Sequence, residues 1–173
     1  MKLRGQNGFS LMEMVIVLTT LALLAAVAGP YLANGVRAYN DTSASVHTLG
    51  KLRAASERLV REIREIDNTG GYRIFTPVSG PNSTLRFTKT DTETVTIDTS
   101  ASLLRMGYAS VNTGTPYILS DELASLTFRY WQADGVSAAT GNADVAIIEF
   151  ELVLSHAGNS YAQRSRVALR NRP

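Results

Sequence analysis

The sequence predicts an α+β chain in which one long N-terminal helix precedes an antiparallel sheet, and three features make that prediction. Residues 14–36 carry no charge. Apolar residues then recur at three- and four-residue spacings as far as Ile66. From Tyr72 onward the period becomes two. With 173 residues, 45% of them hydrophobic, the chain is long and apolar enough for one domain with a real core.

The first element starts with the basic residues Lys2 and Arg4 and enters its apolar run through "GFSLMEMVIVL", Gly8 to Leu18. At 1.5 Å per residue, an apolar helix of about 20 residues crosses the ~30 Å hydrocarbon core of a bilayer. Lys2 and Arg4 account for the whole formal net charge of +2, since beyond residue 8 the remaining 15 Lys+Arg (17 less those two) balance 15 Asp+Glu. A neutral body gives no ground for a nucleic-acid partner. The chain has no cysteine, which excludes a disulfide framework and a thiolate metal site and leaves the redox compartment unread.

Three readings compete for this N-terminus, and all place the chain at a membrane. A secretory signal would use Lys2 and Arg4 as its basic region and Ala26-Val27-Ala28 as a small-residue cleavage site before Gly29. A permanent single-span anchor would use the same apolar run. Both leave Glu13 unexplained, because a carboxylate at the centre of a spanning helix costs roughly 2.5 to 3.5 kcal/mol, less near its end. The third reading gives the acid a partner. Gly8-Phe9 followed four residues later by Glu13, inside a short basic leader and an apolar helix, resembles the processing motif of type IV prepilins and type II secretion pseudopilins.

The resemblance implies that a prepilin peptidase cuts between Gly8 and Phe9 and methylates the new amine of Phe9. It also implies that Glu13 meets the terminal amine of a neighbouring subunit. Paired buried charges lose much of the desolvation penalty that a lone one suffers, and the first turn of a helix favours an acid. Pro30, preceded by Gly29, stands where the family often carries a helix-bending proline. Met12 and Met14 depart from the branched aliphatics more usual beside the glutamate, and the lack of cysteine departs from many major pilins. The segments "RLVREIREI" and "PYILSDELASLTFRYWQADG" look most like minor pilins and the J-type pseudopilins.

On this resemblance residues 1–8 are a leader, 9–33 a transmembrane and assembly helix, and 34–173 a periplasmic pilin-like domain. The implied partners are other pilins or pseudopilins, the prepilin peptidase and an inner-membrane assembly platform. The implied location is the inner membrane, then a pilus or pseudopilus.

Within residues 34–67 the stripe Val36, Tyr39, Val46, Leu49, Leu52, Ser56, Leu59, Ile63 and Ile66 predicts an amphipathic helix with one face for packing. Glu57 with Arg61 and Arg58 with Glu62 are i, i+4 pairs expected on the wet side. Gly70-Gly71 is expected to end the helix.

The segments "YRIFTP", "LRFTK", "TVTID" and "SLLRMGY" then read as short strands, and Leu126, Phe128 and Tyr130 form a further inward row. Residues 146–155 and 161–169 predict an antiparallel pair around the turn 156–160, with Ile148, Phe150, Leu152 and Leu154 on one face and Glu149, Glu151 and Val153 on the other. All of 72–173 is expected as one sheet region.

Few residues offer chemistry. His47 and His156 read as surface residues, and the acids of Asp91-Thr92-Glu93 and Asp134 to Asp144 read as solvated turns, because no spacing matches a defined calcium loop. No nucleophile elbow or phosphate loop is present, so neither an enzyme nor a cofactor or metal is expected. Arg164, Arg166, Arg170 and Arg172 alternate as a row that could meet an acidic surface or phosphate, against the plainer reading of a charged edge strand. Trp131, out of phase with Phe128 and Tyr130, is expected to be exposed and is the other candidate partner contact.

Overall fold

The computed structural model describes residues 10–67, 74–111 and 115–169. The chain divides into two compact units, residues 1–43 and 44–173. One helix, α1, runs Leu11–Arg64 with Pro30 inside it. At its start the Ser10 carbonyl accepts from the amides of Glu13 (3.0 Å) and Met14 (3.1 Å).

In the first unit the helix carries no charge over residues 14–36 and its large apolar side chains are exposed, from Leu11 through Val27 to Leu32. Two of its hydroxyls are met internally. The Thr19 hydroxyl donates to the Val15 carbonyl and that of Thr20 to the Ile16 carbonyl, each at 2.9 Å. Such internal satisfaction is what a segment surrounded by hydrocarbon requires.

In the second unit the C-terminal part of α1 packs on two antiparallel sheets. The first sheet has the order β1 (Leu85–Thr88), β2 (Thr94–Ser100), β3 (Leu103–Tyr108), β4 (Tyr117–Ser120). The second has the order β5 (Leu123–Trp131), β6 (Ile147–His156), β7 (Asn159–Ala168). One core joins helix and sheets: Leu59, Ile63, Phe87, Ile97, Leu104, Phe128, Ile148 and Phe150 are all fully buried within it. Phe128 and Phe150 face each other across β5 and β6 with ring centroids 6.4 Å apart.

The α+β layout is therefore the one the sequence predicts, with its sheet divided in two. The division falls at Asp121-Glu122, where α1 seizes the chain. The Thr48 hydroxyl and Lys51 Nζ each donate to the Glu122 carboxylate at 2.8 Å, and Lys51 also holds Asp121 at 2.6 Å. Hydrogen bonding from Lys51 draws both carboxyls below their usual range. Register shifts at Leu104/Arg105 and Leu123/Ser125 flank this corner and re-aim the strands entering and leaving it.

Several local readings need correction. "YRIFTP" supplies no strand among its described residues; Ile74 makes only an isolated bridge to Phe87. β4 was hidden because four residues carry too short a pattern to read. The helix ends at Arg64, before Gly70-Gly71, which lies outside the described residues. The first buried residue of the helix is Thr48, and Val36, Tyr39, Val46 and Leu49 of the expected stripe are exposed. The turn between β6 and β7 is two residues long: His156 pairs with Asn159, and φ is positive at both Ala157 (50°) and Gly158 (82°). Two positive φ values in succession are what a twisted hairpin of this length demands.

Candidate functional site

Among the described residues, one helix near the N-terminus is long and apolar enough to cross a membrane, with a mean hydropathy of 2.3 over its best 18-residue window and none of that window buried. Glu13 stands in the first turn of that helix and is exposed. No cation lies within ion-pair distance of it among the described residues. Pro30 is accommodated inside the helix. The processing residues Gly8 and Phe9, and Lys2 and Arg4 before them, lie outside the described residues.

The second candidate site is on the outer face of the β5-β6-β7 sheet. Strand register sets Arg129 and Arg166 on either side of Glu149, with Arg164 one pair further along. Glu149 is fully buried, and its carboxylate receives Arg164 Nη2 and Arg166 Nε at 2.5 Å each and Arg129 Nη1 at 3.4 Å. Burial opposes its ionisation, but the hydrogen bonds from Arg164 and Arg166 win and hold the carboxyl below its usual range.

Arg166 also lies over the Trp131 ring, 5.1 Å from its centroid, and donates to the Gly135 carbonyl at 3.3 Å. Trp131 is consequently half-buried rather than exposed, covered by a guanidinium that its own sheet delivers. The expected row thus divides: Arg164 and Arg166 are held within the chain, while Arg170 and Arg172 lie outside the described residues.

A third charged cluster went unread. Glu62 was expected on the wet face of α1, and its pairing with Arg58 does form at 2.8 Å, but the glutamate is buried. Tyr108 of β3 accepts from Arg58 at 2.6 Å and donates to Glu62 at 2.8 Å, and Lys89 Nζ stands 3.4 Å from the other carboxylate oxygen. Burial raises the Tyr108 hydroxyl above its ordinary range, Arg58 opposing and Glu62 reinforcing. The signal was available, since position 62 lies between Leu59 and Ile66 at helical spacing.

Arg105 and Asp98 pair across β2 and β3 at 2.8 Å, and other acids serve loops and corners. Asp134 caps its own turn through the amides of Val136 and Ser137, and Asp91 accepts from the Glu93 amide. His47 and His156 are exposed, His156 Nδ1 lying 3.2 Å from Glu122. Among the described residues no cluster of His, Asp and Glu is suited to a metal ion. The chain matches no protein-family model and no curated protein.

Proposed function

We propose that the chain is a minor structural subunit of a type IV pilus or type II secretion pseudopilus, made as a precursor that a prepilin peptidase cuts between Gly8 and Phe9. It assembles with other pilins or pseudopilins through its N-terminal helix, on an inner-membrane platform. Before assembly the helix stands in the inner membrane, with Lys2 and Arg4 on the cytoplasmic side and residues 34–173 in the periplasm.

The observation that carries this reading is the contrast between Glu13 and the buried acids of the second unit. Glu62 and Glu149 each have cationic partners in their own chain. Glu13 has none among the described residues, although Leu11, Met12, Met14, Val15, Ile16 and Val17 around it are apolar and exposed. An acid in that position needs a cation from elsewhere once water is excluded, and the amine of a neighbour's Phe9 is such a cation.

Mass spectrometry of protein extracted from membranes tests the reading. A mature terminus at methylated Phe9 is expected. A terminus at Gly29, or an intact Met1, overturns it. Docking through Arg164, Arg166 and Trp131, the basis of an adhesive or DNA-binding alternative, gains no support from groups already engaged with Glu149 and with each other.

A further inference from the structure

Two sheets have four outer strands, and three of these edges are closed or charged. Along β1 the Phe75 amide donates to the Arg86 carbonyl at 2.8 Å, and Ile66 and Ile74 bridge to Lys89 and Phe87. Along β5 Asn82 and Phe128 exchange both backbone hydrogen bonds, at 3.1 and 2.7 Å, and the Ala139 amide donates to Tyr130 at 2.9 Å. β7 carries Arg164 and Arg166, charges of the kind that discourage edge pairing.

β4 has neither protection. Among the described residues, the backbone of Tyr117, Ile118 and Leu119 makes no hydrogen bond outside the ladder with β3. The strand has no charged residue, its proline, Pro116, stands before it and not within it, and Tyr117 and Ile118 are 50% and 58% exposed.

The same strand walls a cavity of about 440 Å³ lined by Arg58, Met106, Tyr108, Val111, Tyr117 and Leu119. Tyr117 and Leu119 both line it, Leu119 at the register shift where β4 bulges against β3. The walls are apolar, with Tyr108 and Tyr117 set edge to face at 6.3 Å. Arg58 supplies the polar end. Its Nη2 is committed to Tyr108 and Glu62, while its Nε and Nη1 have no partner among the described residues.

We propose that β4 is a docking edge for an extended segment of another protein chain, which adds as a fifth strand, seats an apolar side chain in this cavity and offers a carboxylate to Arg58. Backbone groups of the open edge supply affinity, and the alternate side chain and its acid supply selectivity. A guanidinium with two donors unpartnered among the described residues, at the end of an apolar slot, favours an acidic segment over a basic one.

The test uses the full chain in lipid nanodiscs and short synthetic peptides with leucine or valine at alternate positions, one set carrying a single glutamate and the other a single lysine. The glutamate set is expected to bind roughly tenfold tighter than the lysine set. It is also expected to slow amide exchange within Tyr117–Ser120 by about tenfold or more. Tyr117→Asp, at a half-exposed position that leaves the core intact, should abolish both effects. Equal binding of the two sets, binding without protection of β4, or no binding would each overturn the proposal. Decanoate serves as the control for a small amphiphile: occupation of the cavity by decanoate with no peptide protecting β4 would also overturn it.

Discussion

The two halves of α1 place their glutamates in opposite circumstances. Glu62, in the packed half, is buried with Arg58, Tyr108 and Lys89 around it. Glu13, in the apolar half, has exposed hydrocarbon around it and no cation among the described residues. A charge whose partners are built in contributes to the stability of its own unit; a charge without them acts only when something else arrives. Substitutions in the two halves should therefore show up in different measurements.

The largest effect is expected in the packed half. Leu59 is fully buried, so Leu59→Ala should destabilise the second unit by about 2 to 5 kcal/mol. Urea unfolding followed by Trp131 fluorescence measures this, and membrane insertion should be unchanged. Next comes Glu62→Gln, which keeps the shape but withdraws the charge from Arg58 and Lys89 and should cost about 1 to 3 kcal/mol by the same measurement. Loss of less than the error of the fit would mean that solvent already compensates those two cations.

Glu149 sharpens the comparison through pH. Its folded carboxyl titrates below the usual glutamate value of about 4.3, so the stability it contributes is fully present above that value and is lost as pH falls through the depressed one. The urea midpoint should fall on acidification below about pH 4, and Glu149→Gln, already weakened at neutral pH, should fall less steeply. Parallel curves for the two proteins would show that another group controls acid unfolding.

A smaller gain is expected at the β6-β7 turn, where Ala157 holds a positive φ of 50°. Asparagine tolerates that conformation better, so Ala157→Asn should stabilise the unit by about 0.5 to 1 kcal/mol. Smallest of all in stability is Glu13→Ala, with no change in the urea midpoint of the second unit. Its effect should lie in assembly: membrane insertion is retained, and incorporation into sheared filaments drops at least about tenfold. Normal incorporation would remove the docking role of this acid.

Much of this was legible in the sequence because periodicity is a local signal. The uncharged run from Met14 gave the apolar helix, and strict alternation through Ile148, Phe150, Leu152 and Leu154 gave β6 and its buried face. Other features depended on distant partners. The first sheet stops where it does because Lys51 and Thr48, some seventy residues earlier, hold Asp121 and Glu122. Trp131 is covered because Arg166 arrives from β7, which period-two reasoning on β5 alone does not reveal. Val36, Tyr39, Val46 and Leu49 continue the right spacing but are exposed, and spacing does not say where burial starts.

The way Thr19 and Thr20 return their hydroxyls to their own helix has a further consequence. Through these two hydroxyls the segment asks no hydrogen bond of its surroundings. Exchanging acyl chains for the flanks of other helices would leave both hydroxyls satisfied, so at these two positions the environments would differ mainly in shape, while at position 13 they would differ in what they offer the carboxylate.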